Sequence, residues 1–266
     1  MTGLIWLLAF TVCISINAQP AAETNFVIGG LPRLSGTSVS EDILVLTNRG
    51  YIVGYSETKR NPRWVCYRLT KVGAVDKKAL NPERKNNFRA DLRTKPPQVG
   101  SDAFAKLPYD RGHMAPSYGI GSRYGETAQD ETFLMSNMCP QQPKLNRGIW
   151  KRLETKEADY LANGLGQVWI ITGPILNANP KKIGKYQVEE PAAFFKIIVD
   201  NPNGKPRVLP FRFEMPTIPT QNLNAFLTSV GSIEKQTGID FFSDLPAGQQ
   251  KELEKQKPSS IWKVSK

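Results

Sequence analysis

Two apolar runs flank Asn48-Arg49-Gly50 in the stretch ILVLTNRGYIVGYSE, residues 43–57, and they constrain the fold more than any other feature. β-Branched and aromatic runs around a short Asn/Gly connection read as a hairpin. RWVCYRL (63–69), QVWIITGPIL (167–176) and AAFFKIIVD (192–200) read as further strands. The turn NPNGKP leads from the last of these into RVLPFRFEM (207–215), and TFLMSNM (132–138) reads as a short strand. The best helix is NRGIWKRLETKEADYLAN (146–163). Its Trp150, Leu153, Glu157 and Leu161 share one face, with Ile149 and Tyr160 beside it. SVGSIEKQTG (229–238) reads as a short helix closed by Gly238. Residues 70–108 read as polar loop. Strand runs with interspersed helices predict an α+β fold with a mainly antiparallel central sheet.

The chain's ends carry different signals. No charged side chain precedes Glu23, and the apolar run Leu4–Ile16 is too short to span a bilayer comfortably. With Ala18 at a small-residue cleavage position, residues 1–18 read as an export signal. The n-region holds no Lys or Arg, so an uncleaved anchor is the alternative. Residues 19–40 read as a flexible lead-in, 41–250 as one domain and 251–266 as a charged, mobile tail. No later segment has the roughly 18 consecutive apolar residues a membrane helix needs. The expectation is a periplasmic or secreted protein with no membrane contact after signal removal. Two cysteines remain, Cys66 and Cys139. They either pair, as an oxidising compartment favours, or sit as two buried thiols. With one histidine they cannot build a zinc site. A formal net charge of +11 favours a polyanionic partner.

His113 is the only histidine in 266 residues, and it follows Asp110-Arg111-Gly112 in KLPYDRGHMAPSYGIG. A second polar cluster, SNMCPQQPKLNRGIWKRLE, places Asn137, Gln141, Asn146 and Glu154 around a strand-to-helix transition. Phosphodiester hydrolysis needs such a set. A neutral imidazole takes a proton from water near pH 7, and a divalent cation and an arginine stabilise the growing negative charge. Magnesium keeps several of its waters and needs only one or two protein oxygens. Glu154 lies about 12 Å along a helix axis from Asn146, so it reaches such an ion through water. The plain alternatives are a helix cap for Asn146 and a solvated surface acid for Glu154.

DRGHMAP, LMSNMCPQ and LNRGIWKRLE resemble, in order and spacing, the DNA/RNA non-specific endonucleases of the ββα-metal (His-Me finger) class. The likeness extends over roughly residues 45–250. It implies a ββα-metal finger carrying the active site and hydrolysis of DNA and RNA to 5′-phosphate ends. In this resemblance His113 is the general base, and Asn146 is the direct ligand of Mg²⁺, for which Mn²⁺ can substitute. Glu154 acts on the metal through water, and Arg111 contacts the phosphate. Asn137 and Gln141 order the metal waters or the loop, and Arg147 binds substrate. An upstream arginine corresponds to Arg84, Arg89 or Arg93, of which Arg89 is chosen. Where several relatives carry an arginine one turn after the glutamate, this chain has Ala158. Relatives are often dimers, so a homodimer is left open. The rival reading is a catalytically weak or inactive nucleic-acid-binding protein of the same fold.

Overall fold

The computed structural model of the chain describes residues 25–35, 43–73, 82–218 and 220–264. The expected export signal, and residues 19–24 and 36–40 of the lead-in, lie outside them. In chain order the strands are β1 (Arg33–Leu34), β2 (Ile43–Thr47), β3 (Tyr51–Ser56), β4 (Asn61–Thr70), β5 (Asp110–His113) and β6 (Met138–Gln141). They continue with β7 (Gln167–Leu176), β8 (Lys182–Ile183), β9 (Val188–Glu189), β10 (Pro191–Asp200), β11 (Arg207–Glu214) and β12 (Ile239–Asp240). Helix α1 is Ser117–Glu131. Helix α2 joins four successive segments, Leu145–Trp150, Lys151–Lys156, Glu157–Leu161 and Ala162–Leu165. Helices α3 (Val230–Thr237) and α4 (Ala247–Lys255) follow.

Six strands form one sheet in the order β11-β10-β7-β4-β3-β2, and every neighbouring pair is antiparallel. Alternate side chains along a strand point to opposite faces. Here both faces are covered, which is why the strands read as continuous apolar runs. Val65, Tyr67 and Leu69 of β4 join Phe194 and Ile198 of β10 under Trp150, Leu153 and Leu161 of α2. On the other face Trp64, Cys66, Phe195 and Ile197 pack with Val230 and Ile233 of α3 and with Leu253 of α4. Each fully buried Leu, Ile or Phe contributes about 1.5–3 kcal/mol of transfer free energy. Among the described residues no helix is long and apolar enough to cross a membrane.

Strand alternation also decides the cysteines. Cys66 belongs to the α3 face and Cys139 to the α2 face. Both are buried free thiols, the second of the two alternatives left open by the sequence. Three expectations are corrected. Residues 135–137 form a 3₁₀ turn, and the strand begins only at Met138. The supposed mobile tail continues α4 to Lys255, buries Leu253, and packs Ile261, Trp262 and Val264 against the α2-side core. The lead-in is anchored over 25–35, where Phe26 is buried and β1 pairs with β12. The helix expected at 229–238 forms as read, with the Ser229 side chain capping its start and Gly238 ending it at φ 66°. That left-handed conformation is inexpensive only for glycine.

Candidate active site

Strands β5 and β6 pair antiparallel, Asp110 opposite Gln141 and His113 opposite Met138, and α2 follows directly. This ββα finger sits on the α2 side of the sheet. Its two strands approach closely because residue 112 is glycine: a Cβ there would lie 2.4 Å from Gln141 Oε1 and 2.6 Å from Gln141 Cβ. A cleft of about 700 Å³ opens where β5, α2 and the start of α1 converge. Asp110, Arg111, His113, Asn146, Arg147 and Glu154 line it, joined by Arg84, Phe88, Tyr118 and Lys151.

His113 is nearly buried, with its ring edge-on to Phe133 at 5.1 Å and to Phe88 at 5.6 Å. Its Nε2 is buried and has no hydrogen-bond partner. Burial, then the charges of Arg84 and Arg111, push the imidazole down to about 3, so it is neutral at physiological pH. Arg111 donates to the Ser101 carbonyl and stacks its guanidinium 4.0 Å over the Phe88 ring.

Asn146 is not a cap. It is the second residue of the segment Leu145–Trp150, already inside the helical run, and its Nδ2 donates to Asp110 Oδ2 at 2.9 Å. That leaves its Oδ1 as the free end of the amide. Arg147 clamps the same carboxylate through Nε (2.8 Å) and Nη2 (2.6 Å). Burial alone would raise the Asp110 carboxyl; the bonds from Arg147 and Asn146 outweigh it and hold it below its usual range. Glu154 turns Oε1 inward, buried and without a hydrogen bond, which leaves Oε2 for the cleft. Burial pushes Glu154 up to about 7; Lys196 opposes that shift and Glu157 adds to it.

Not every expected residue arrives here. Asn137 is fully buried, and its amide is consumed by Ala115 N, Ala115 O and Thr132 O. It ties the exit of β5 to the turn before β6. Gln141 is also fully buried, folded over Gly112 with both amide atoms unpartnered. Arg89 pairs with Asp130 at 2.7 Å, away from the cleft. Arg84 enters the cleft instead, 5.2 Å over the Phe133 ring and close enough to bias both His113 and Glu154. Sequence alone did not separate Arg84 from Arg89, because both sit in the same polar stretch. Ala158 is buried, so its position does not face the cleft. Asp159, one residue on, lines the cleft and bonds the Tyr118 hydroxyl.

A six-stranded antiparallel sheet, with a ββα finger presenting one neutral histidine beside an anchored asparagine, defines a nucleic-acid hydrolase of the α+β class. The DNA/RNA non-specific endonuclease profile matches residues 34–248. The chain belongs to that family. It is 29% identical to a nuclease of Nostoc, with 89% of this chain and 86% of that protein covered. It is likewise 29% identical to a nuclease of Serratia marcescens, with 92% and 91% covered. Human mitochondrial endonuclease G is 28% identical over 76% of this chain and 70% of its own. A crystal structure of an EndoG/EndoGI complex superposes with a TM-score of 0.72 at 25% identity, covering 87% of this chain and 96% of that one.

Proposed function

We propose that the chain is an exported, Mg²⁺-dependent endonuclease that hydrolyses DNA and RNA and leaves 5′-phosphate ends. One observation carries the reading: the neutral imidazole of His113 lines the same cleft as an asparagine whose amide nitrogen is held by Asp110. The neutral imidazole of His113 takes a proton from water, whose oxygen attacks phosphorus. The bond to the 3′ oxygen breaks, which gives a 3′-hydroxyl and a 5′-phosphate. Arg111, Arg84 and Arg147 face the anionic substrate. A bound phosphate offsets the two arginine charges that depress His113, and so moves the imidazole back toward its ordinary value.

The free oxygens of Asn146 and Glu154 are hard donors and suit Mg²⁺ or Mn²⁺, with Asn146 the direct ligand and Glu154 acting through water. When bound, the cation supplies charge stabilisation for the oxygens of the scissile phosphate. Little base preference is expected, since backbone charge supplies the binding. Export rests on residues 1–18, and the mature chain is expected in the periplasm or the medium.

Purified mature protein, incubated with plasmid and with RNA, should cut both in Mg²⁺ and neither in EDTA. The products should accept a 5′ label from polynucleotide kinase only after phosphatase treatment. Binding without cutting in any divalent metal would instead establish the inactive binding-protein reading.

A further inference from the structure

The sheet beneath the cleft contains a lysine that the mechanism above does not use. Lys196 sits in the middle of β10, in the run AAFFKIIVD, and is 0% exposed. Strand alternation puts it on the same face as Phe194 and Ile198, under α2. Its Nζ lies 3.0 Å from the Tyr67 hydroxyl, 3.2 Å from Glu157 and 3.7 Å from Glu154 Oε1. It also lies 4.7 Å from the centre of the Trp150 ring. Tyr67 donates to Glu157 Oε2 at 2.8 Å, and Glu157 is itself fully buried.

A buried ion pair is a poor stability device, because apolar residues of similar volume are often as stable or more so. The layout suggests another use. Of the three groups around Nζ, Tyr67 and Glu157 are wholly enclosed. Glu154 alone reaches the cleft. Glu154 and Glu157 are three residues apart, so both project from one side of α2 toward the strand. Position 158, one turn further along the helix, is a buried alanine, so the positive charge next to Glu154 comes from Lys196 of the sheet.

We infer that Lys196 is a positioning residue: with Glu157 and Tyr67 it holds Glu154 Oε1 from behind and so directs Oε2 into the cleft. The inference rests on the nuclease reading above. Lys196 touches no substrate and acts only through Glu154.

The test is a cycle of variants: Lys196→Met/Glu157→Gln, which removes both buried charges together, Glu154→Gln, and the three changes combined. Mn²⁺ affinity is read by electron paramagnetic resonance, cleavage by plasmid nicking, folding by thermal melts, and DNA binding in EDTA by anisotropy. The double variant should melt cooperatively and bind DNA within about twofold of wild type. It should lose about 10-fold or more in Mn²⁺ affinity and nicking rate, the usual cost of removing a group that orients a ligand. In the Glu154→Gln background the same two changes should add nothing further. Wild-type Mn²⁺ affinity in the double variant, or an undiminished loss without Glu154, overturns the inference. Should the double variant not fold, Tyr67→Phe removes one hydroxyl and keeps the packing. It should still weaken Mn²⁺ binding several-fold, and an unchanged affinity overturns the inference. A wild type that neither binds Mn²⁺ nor nicks DNA sinks the nuclease reading itself.

Discussion

Asp110 Oδ2 accepts a hydrogen bond from Asn146 Nδ2 at 2.9 Å, across the gap between β5 and α2. The bond decides which end of the asparagine amide faces the cleft. The same carboxylate holds Arg147. Removing it frees the amide to rotate. Asp110→Ala should raise the Mg²⁺ concentration for half-maximal nicking by about 10–100-fold, the range seen when a ligand's supporting group is lost. Initial nicking rates across a Mg²⁺ series measure it, and an unchanged requirement would show that Asp110 only closes the turn.

Arg84 and Arg89 should separate cleanly. Arg84 lines the cleft, while Arg89 is paired with Asp130 at a half-exposed site. Arg84→Ala should lower kcat by about 100-fold, the scale of one lost transition-state donor. Arg89→Ala should leave kcat within about twofold and cost at most about 1 kcal/mol of stability, as exposed pairs do. Steady-state kinetics with urea denaturation tests both.

The depressed imidazole makes a stability prediction. His113 falls from 6.5 to about 3 on folding, so the unfolded chain binds the proton first as pH drops. Its contribution is complete above pH 6.5 and is lost as pH falls toward 3. Between pH 7 and pH 4.5 that loss is about 2–3 kcal/mol. Glu154, raised to about 7, works in the opposite sense over the same window. The comparison is therefore between slopes: urea unfolding of His113→Leu should lose less stability between those pH values than wild type does.

Gly112 has no room for a side chain, because Gln141 lies across it. Gly112→Ala should destabilise by about 1–3 kcal/mol, the cost of overpacking a filled interior. Chemical denaturation reads it directly.

Cys66 and Cys139 lie on opposite faces of the central sheet. A reductant should leave the melting midpoint of the mature protein unchanged. Thiol titration in denaturant should count both as free.

Much of the sheet was legible because β3, β4, β7, β10 and β11 are buried on both faces and so carry unbroken apolar runs. Helix α2 showed its inward face, Glu157 included, because that stripe is long and regular. Helix α1 was invisible: SYGIGSRYGETAQDE has three glycines and no apolar stripe, and Gly125 leaves helical geometry at φ 83°. The finger strands DRGH and MCPQ carry no alternation, so only the motif pointed to them. Arg84 could not be separated from Arg89 without knowing how the 82–109 segment crosses the cleft. Lys196 did leave a trace, as a charge in the middle of the apolar run AAFFKIIVD, but its partners come from another strand and from α2.

The central claim is that His113 performs the proton transfer and does not merely fill the site. His113→Ala should bind plasmid in EDTA with wild-type affinity, yet nick it in Mg²⁺ at least about 100-fold more slowly, the lower range for a lost general base. A variant that nicks at the wild-type rate would contradict the account.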